Sequence, residues 1–259
     1  MPSLITLLTD FGTSDGYVGE VKGVLVSGAP GAMVMDISHE VRAQDVDGAR
    51  LAVARYWRRF PKGTVHLVVV DPGVGSARAA IAVASDGRYL VGPDNGVLSP
   101  ALLARDARVV SLPLPAHASN TFHGRDVFAP AAAALAAGVP LEELGAPFDS
   151  PIVRRTPEAR RLGDGRVLGE VISVDRFGNL ITNIVAMNGG SVDVASRSLE
   201  VRRAYADVRI GEVTALVGSL GFVEIAVRDG SAAALLGAGK GAPVLFHPPL
   251  AARAPTAGA

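Results

Sequence analysis

A carboxylate and a guanidinium stand seven residues apart across a glycine-rich turn of this chain. They are Asp71 and Arg78, and the turn between them follows the mostly apolar run 65–70. Such a strand is typical of the interior of a parallel sheet, and open α/β sheets bind ligands at the carboxyl edge of these strands. The pattern predicts Asp71 at a ligand-binding edge; the alternative is a structural ion pair with Arg78.

Two further loops carry polar side chains that suit a binding or catalytic site. Asp10 follows an apolar run and precedes Gly12, and His123 lies in the polar loop 122–126. An ionised carboxylate has two acceptor oxygens and can bind a ribose diol, whereas the alternative for Asp10 is a turn or helix cap. A lone His123 is most simply a structural residue. Together, the three loops indicate an enzyme with a polar site built from loops.

Other kinds of site are excluded by single residues. Gly73 and Gly75 begin a dinucleotide fingerprint, but the third glycine position is Arg78, which does not allow close helix–strand packing. His39 begins like a zinc-binding HExxH motif, but Ala43 stands where the second histidine is needed. Cysteine is absent, which excludes disulfides, zinc–thiolate sites and cysteine nucleophiles. The five histidines show no metal-ligand spacing, so we expect no metal.

The composition indicates a globular protein that neither spans a membrane nor binds nucleic acid through a strong net charge. The chain has 259 residues, of which 49% are apolar, and its formal net charge is zero. A neutral balance argues against electrostatic binding to nucleic acid or to an anionic membrane. No apolar stretch reaches about 18 residues, the length that a transmembrane helix requires. We therefore expect a cytoplasmic protein.

The first half of the chain alternates strand-like and helix-like patterns. Apolar runs predict strands, and helical spacing of apolar residues predicts helices. The predicted strands are 3–9, 33–37, 65–70, 79–85 and 89–91, with a hairpin at 86–87; the predicted helices are 17–27, 45–60, 98–103 and 126–137. This alternation is typical of an α/β domain with a mostly parallel sheet.

The second half has short β-like runs and little helical period. The runs are 167–174, 180–185, 199–202, 213–217, 222–227 and 243–246. Short strands separated by glycine and asparagine turns favour a small barrel or sandwich. The predicted domain boundaries are 1–152 for the α/β domain, 153–164 for an arginine-rich linker, 165–250 for the all-β domain and 251–259 for a disordered tail.

Five motifs in order identify a family resemblance. They are LTDFG at 8–12, VDPGVGSAR at 70–78, PDNG at 93–96, FHGRD at 122–126 and DRFGN at 175–179. With them the chain resembles the S-adenosylmethionine hydroxide adenosyltransferases, the adenosine-forming S-adenosylmethionine hydrolases that are related to the fluorinases and chlorinases. The resemblance runs from about residue 4 to about residue 247.

The resemblance implies an architecture and a catalytic triad. It implies an α/β N-terminal domain, a β-barrel C-terminal domain and a homotrimer, with each active site between the N-terminal domain of one subunit and the C-terminal domain of its neighbour. By position, Asp71, Arg78 and His123 match the triad that handles water. S-adenosylmethionine is then the substrate, and no cofactor is implied.

The resemblance also implies a substrate-binding set. Asp10 matches the carboxylate that binds ribose, and Asn179 and Val227 fall where adenine is held. Asp175 and Ser219 match positions at the methionine end of the substrate. The complete set of predicted substrate-binding residues is Asp10, Asn95, Asp175, Asn179, Ser219, Glu224 and Val227.

Two residues favour hydrolysis over halogenation. The halogenase relatives have an apolar or tyrosine-lined halide pocket at the position of Asp71, and they lack the histidine at the position of His123. A carboxylate would repel a halide at short range, whereas a water nucleophile needs hydrogen-bond acceptors. The predicted reaction is attack of water on the 5′ carbon, which gives adenosine and methionine, and either Asp71 or His123 accepts the proton. The alternatives are a halogenase that forms 5′-halo-adenosine and a non-catalytic adenosine or S-adenosylmethionine binding protein.

Overall fold

The computed structural model describes residues 3–187 and 189–249. The chain divides into two compact units between Arg155 and Thr156, here called the N-terminal and C-terminal units. The predicted linker 153–164 spans this division, and the predicted tail 251–259 lies outside the described residues.

One seven-stranded sheet forms the centre of the N-terminal unit. Its strands are β1 (Leu4–Thr9), β2 (Met33–Ser38), β3 (Val65–Val69), β4 (Ala80–Ser85), β5 (Arg88–Pro93), β6 (Arg108–Leu112) and β7 (Ala146–Pro147). Their order across the sheet is β2-β1-β3-β5-β4-β6-β7. The pairs from β2 to β5 are parallel and those from β5 to β7 are antiparallel. All strands except β4 and β7 therefore run in one direction, and the predicted mostly parallel sheet is confirmed.

Helices cover both faces of this sheet. They are α1 (Tyr17–Gly28), α2 (Val46–Tyr56), α3 (Ser99–Leu102) and α4 (Ala129–Ala136). Side chains alternate along β1, so that Leu7 joins the core with Leu25 of α1 and Leu135 of α4, whereas Leu8 joins the core with Val53 of α2. Burying one such leucine contributes about 1.5–3 kcal/mol. The unit is thus a three-layer α/β/α sandwich. In the described part of the chain no helix is both long and apolar enough to cross a membrane.

Two predicted helices differ in detail from the structure. The helix predicted at 45–60 is α-helical only to Tyr56 and continues as the 3₁₀ turn Trp57–Arg59, because the residue before Pro61 is kept extended. The helix predicted at 126–137 begins earlier, as the π-helical turn Gly124–Phe128 directly after His123. Such π turns are frequent at functional sites.

The strand directions bring four polar side chains to one edge of the sheet. Asp10, Asp71 and Asn95 each follow the carboxyl end of a parallel strand, namely β1, β3 and β5. Arg78 precedes β4, and because β4 is antiparallel its amino end lies at that same edge. The sheet topology therefore explains why residues from distant sequence positions meet.

A closed barrel forms the C-terminal unit. Its strands are β8 (Arg160–Arg161), β9 (Val167–Val174), β10 (Leu180–Val185), β11 (Ser191–Val194), β12 (Arg197–Arg202), β13 (Val213–Val217), β14 (Phe222–Val227) and β15 (Pro243–His247). The order β10-β14-β13-β12-β11-β15-β9 closes into a ring through pairing of β9 with β10, and β8 pairs with β9 outside the ring. Among the described strands of this unit only β12 and β13 pair in parallel. The predicted fold class is confirmed.

A short helix interrupts the all-β pattern. It is α5 (Ala232–Leu236), which begins after Ser231, whose Oγ accepts a hydrogen bond from the backbone N–H of Ala234 at 3.1 Å. Ser231 is therefore an N-cap of the kind that serine commonly provides. The sequence analysis predicted neither α5 nor β11, which have five and four residues.

The burial of His66 is expected to make the folding stability fall at acidic pH. Its Nδ1 lies 2.7 Å from Oγ1 of Thr6, and it is fully buried beside the rings of Tyr56 and Phe60. Burial lowers the pKa of His66 to about 4. Between that value and the unfolded value of about 6.5 the unfolded chain binds the extra proton, so stability falls as the pH is lowered. From pH 7 to pH 4.5 this site is expected to remove about 2 kcal/mol of folding free energy.

The matched variant is His66→Gln, which keeps a hydrogen-bonding group beside Thr6. Urea unfolding at pH 7 and pH 4.5 should show a smaller loss of stability in His66→Gln than in wild type, with the exposed His117→Gln as control. Equal losses in wild type and His66→Gln would mean that His66 does not cause the acid sensitivity.

Candidate active site

Arg78 joins Asp71 and His123 in one contact cluster. Nε of Arg78 donates to Oδ1 of Asp71 at 2.9 Å, and Nη2 donates to Oδ2. The same Nη2 donates to Nδ1 of His123 at 2.8 Å. The side chains of Asp71 and Arg78 are only 6% and 9% exposed. These three residues, predicted as catalytic, are therefore brought together by the N-terminal unit, with both carboxylate oxygens bound in the bidentate geometry that favours strong pairing.

The contact with Arg78 fixes the tautomer of His123. A guanidinium only donates, so Nδ1 of His123 must accept, and the ring proton of the neutral imidazole lies on Nε2. Burial lowers the pKa of His123 and the charge of Arg78 lowers it further, against weaker opposing effects of Asp71 and Asp126. His123 is thus a neutral side chain whose Nε2–H can donate to a ligand.

The two loops that carry the cluster approach each other at Gly75. This residue has φ 76°, and a Cβ there would lie 2.4 Å from the backbone oxygen of Asn120. Glycine is required both for the left-handed backbone and for the close approach. Any other residue would separate the Asp71 loop from the loop that leads to His123.

Asn95 supports the strand end that carries Asp71. Its Nδ2 donates to the backbone oxygen of Val70 at 2.9 Å, and its Oδ1 accepts from the backbone N–H of Val97 at 3.1 Å. Both polar groups of this side chain, which was predicted to bind substrate, are engaged within the protein. The geometry favours a role in holding β3 in place.

Asp10 offers one carboxylate oxygen to a ligand. Its Oδ2 accepts from the backbone N–H of Gln44 at 2.8 Å, whereas Oδ1 has no hydrogen-bond partner among residues 3–187 and 189–249. His39 also contacts the loop that carries Asp10. Its backbone oxygen accepts a hydrogen bond from the N–H of Gly12, and its Nδ1 lies 2.8 Å from Oγ1 of Thr9. The loop is therefore fixed while part of the carboxylate stays accessible.

An aromatic cluster that the sequence analysis missed connects the Asp10 and His123 loops. The ring centroids of Phe11 and Phe122 are 5.8 Å apart, and Tyr17 lies edge-on to both at 6.2 and 5.4 Å. Gly124 packs against this cluster, since a Cβ there would lie 3.2 Å from the ring of Phe11. The available signal was that Phe11 and Phe122 each adjoin a residue of the predicted site.

The C-terminal unit has its own cavity of about 640 Å³. Its lining includes the predicted residues Asn179 and Val227, together with Phe177, Tyr205 and Ser231. Flat apolar side chains combined with a few polar groups are typical of sites for planar ring ligands. Tyr205 was not predicted, because a tyrosine in an otherwise irregular segment gives no sequence signal.

Asp175 closes the loop that precedes Asn179. Its Oδ1 accepts from the backbone N–H groups of Phe177 and Asn179, both at 2.9 Å, and its Oδ2 accepts from Nδ2 of Asn179 at 2.9 Å. Asp175 and Asn179, both predicted to bind substrate, are thus brought together by the C-terminal unit, with the carboxylate directed at its own loop.

Two carboxylates affect the pKa of Tyr205. Burial raises the pKa of Tyr205, and the charges of Glu224 and Asp175 raise it further. Arg228 and Asp229 also line the cavity, so its charged side chains have both signs.

Ser219 lies in the turn between β13 and β14, and Glu224 lies on β14. Ser219 is exposed, whereas Glu224 is buried on β14. The Glu224 carboxylate packs on Gly218, because a Cβ at Gly218 would fall 1.9 Å from Oε1 of Glu224. Glu224 thus contacts the residue that precedes Ser219 in the chain. Among the described residues no group of three or more histidine, aspartate or glutamate side chains could hold a metal ion.

Comparison with known proteins decides the family. Residues 5–145 match the SAM hydroxide adenosyltransferase N-terminal domain, and residues 169–245 match the C-terminal domain of that family. The chain belongs to this family. The resemblance found from the five motifs is therefore confirmed.

Individual relatives are similar over most of the chain. The (R)-S-adenosyl-L-methionine hydrolase of Thermus thermophilus is 44% identical, covering 93% of this chain and 98% of the relative. A fluorinase of Actinoplanes sp. is a more distant relative at 31% identity, covering 70% of this chain and 71% of the relative. The crystal structure of a conserved protein from Thermotoga maritima has a TM-score of 0.85 at 37% identity and covers 94% of this chain and 100% of that chain.

Proposed function

We propose that this member of the SAM hydroxide adenosyltransferase family hydrolyses S-adenosyl-L-methionine to adenosine and L-methionine. Water attacks the 5′ carbon of the ribose in line with the departing sulfur. The observation that carries the proposal is the buried cluster in which Arg78 contacts both Asp71 and His123. The relative from Thermus thermophilus, which is named an (R)-S-adenosyl-L-methionine hydrolase, supports the same substrate.

The tautomer of His123 supports Asp71 as the proton acceptor. Because Nδ1 of His123 is occupied by Arg78, the imidazole presents an N–H donor, which can orient the oxygen of a water molecule. Asp71 retains lone pairs beyond those used by Arg78 and can accept the proton as the new carbon–oxygen bond forms. A positioned general base contributes about 10²–10⁴ in rate. Arg78 stabilises the hydroxide character that develops on the water.

The departing group imposes little demand on the protein. A sulfonium leaves as a neutral thioether, so no proton donor to the leaving sulfur is required. Catalysis then depends on the activation of water and on alignment of the 5′ carbon, and alignment can supply up to about 7–11 kcal/mol in favourable cases. The reaction as proposed uses no cofactor and no metal.

We propose that both units contribute to each substrate site. Asp10 of the N-terminal unit binds the ribose diol through its accessible oxygen. In the C-terminal unit the cavity beside Asn179 and Val227 receives adenine. Asp175, Ser219 and Glu224 bind the methionine end. In a homotrimer, the C-terminal unit would come from the neighbouring subunit. The trimer and a cytoplasmic location remain predictions.

Two alternative functions can be distinguished from hydrolysis by the products that the protein forms. A halogenase would form 5′-chloro-adenosine, but the buried carboxylate of Asp71 opposes a halide in the same place. A non-catalytic protein would bind adenosine without turnover. Purified protein incubated with S-adenosylmethionine, with and without chloride, should yield adenosine and methionine in equal amounts by chromatography and mass spectrometry. A chlorinated nucleoside, or tight adenosine binding without products, would contradict hydrolysis.

Asp10→Ala is expected mainly to weaken substrate binding, because the proposed partner of the carboxylate is the ribose diol. Loss of a hydrogen bond to a charged group should raise the Kd by about 10–100-fold, with a smaller change in the turnover number. Calorimetry with S-adenosylmethionine and steady-state kinetics measure the two effects.

Two variants separate this role from a purely structural one. Asp10→Asn keeps an oxygen for the N–H of Gln44 but loses one acceptor, so it should also bind weakly. Asp149→Ala changes an exposed aspartate of the same unit and is the control. Wild-type affinity in Asp10→Asn would remove the ribose contact from the proposal.

A further inference from the structure

The carboxamide of Asn179 is held in one orientation. Asp175 Oδ2 lies 2.9 Å from Nδ2 of Asn179, and Oδ1 of Asp175 accepts from the backbone N–H of Phe177 and of Asn179. A carboxylate only accepts hydrogen bonds, so the nitrogen of the carboxamide must face Asp175. If the carboxamide turned by half a revolution, its oxygen would meet the negative charge of Asp175.

The loop around this pair is attached to the start of α5. Gly178 has φ 82°, and a Cβ there would lie 2.0 Å from Oγ of Ser231. The backbone oxygen of Gly178 accepts from the N–H of Ala233 at 2.9 Å. These contacts place the backbone at Asn179 relative to α5.

The side-chain oxygen of Asn179 is free to bind a ligand. Asn179 lines the cavity of about 640 Å³, and within the described chain its Oδ1 has no hydrogen-bond partner. Because one N–H of Nδ2 donates to Asp175, the position of Oδ1 is fixed, and Oδ1 can only accept a hydrogen bond from a base. An acceptor pairs with the 6-amino group of adenine and repels the 6-oxo group of hypoxanthine.

We propose that Asp175 is a positioning residue that sets base selectivity by fixing the Asn179 carboxamide. The proposal rests on the proposed function, since it concerns the purine part of the same substrate. In this proposal Asp175 acts on the base by orienting the side chain of Asn179, in addition to any contact that its charge makes with the methionine end of the substrate. The selected ligand class is 6-amino purine nucleosides, and 6-oxo purine nucleosides are rejected.

Asp175→Asn tests this directly, because it should turn the Asn179 carboxamide so that a donor instead of an acceptor faces the base. The new carboxamide can keep its oxygen on the N–H groups of Phe177 and Asn179, as asparagine does in such turns. Its nitrogen then faces Asn179 and donates, so the Asn179 carboxamide turns and presents Nδ2 to the base. The kcat/KM ratio for S-adenosylmethionine over its hypoxanthine analogue should fall by about 10–100-fold.

Binding without chemistry gives an independent readout. Calorimetry with adenosine and inosine should show the same fall in the affinity ratio in Asp175→Asn, although neither nucleoside has a methionine end. A general loss of affinity caused by lost charge or structure would lower both values and leave the ratio unchanged. Asp175→Ala, which frees the carboxamide without reversing it, should have an intermediate ratio.

The control is Asp164→Asn, since Asp164 is an exposed aspartate of the same unit that pairs with Arg166. It should keep the wild-type ratio. An unchanged ratio in Asp175→Asn, with hydrolysis intact in wild type, would overturn the role of Asp175 and leave the proposed function standing. Wild-type protein that neither cleaves S-adenosylmethionine nor binds adenosine would overturn both.

Discussion

Asp71→Asn is expected to lower the turnover number by about 10²–10⁴-fold, the contribution of a positioned general base. The amide is nearly the same size, but it removes the charge that accepts the proton from water and that pairs with Arg78, so some loss of stability is expected as well. The Kd for S-adenosylmethionine should change by less than about threefold, because Asp71 contacts water rather than substrate in the proposed site. Steady-state kinetics and calorimetry measure the two quantities.

The matched control for this change is Asp106→Asn, an exposed aspartate of the same unit away from the cluster. It should leave both the turnover number and the Kd at wild-type values. A turnover number that is unchanged in Asp71→Asn would remove Asp71 from the chemistry, and the proton would then need another acceptor.

Arg78→Leu is expected to lose both stability and activity. The substitution leaves the Asp71 carboxylate, whose side chain is 6% exposed, without its partner. Breaking a buried ion pair from one side costs about 3–5 kcal/mol of folding free energy. The turnover number should fall at least as far as in Asp71→Asn, because the hydrogen bonds to Asp71 and His123 are both lost. Urea unfolding and steady-state kinetics test the two effects.

Two comparisons make this prediction specific. Arg108→Leu removes an exposed ion pair with Glu142 and should cost less than about 1 kcal/mol. Arg78→Lys keeps the positive charge beside Asp71, so more stability should remain, but an ammonium lacks the planar fork that bridges two partners. Full activity in Arg78→Lys would show that charge alone is sufficient and that the bridge to His123 is dispensable.

Long apolar runs made most of the fold predictable. β1, β3 and β14 are continuous or nearly continuous apolar segments, and the spacing in α1 matches one helical face. β6, β11 and α5 have only four or five residues and were missed, although strands as short as β13 and β15 were predicted. Their formation depends on pairing and packing with segments that are distant in sequence, which local pattern does not contain.

Residue type and the family motifs indicated candidate site residues, but not the partners of their side chains. The meeting of Asp71 and Arg78 follows from sheet topology, whereas the approach of His123 and its tautomer depend on a contact between residues 45 positions apart. Asn95 and Asp175 were predicted as substrate contacts from their type and motif. The structure adds that their side chains are engaged in internal hydrogen bonds, a fact that depends on backbone geometry.

The central claim is that water is the nucleophile at the 5′ carbon. Protein incubated with S-adenosylmethionine in water enriched in oxygen-18 should release adenosine that carries one heavy oxygen in its 5′ hydroxyl group, together with unlabelled methionine. Mass spectrometry of both products measures this directly. Adenosine without the label, or label in methionine instead, would contradict the account.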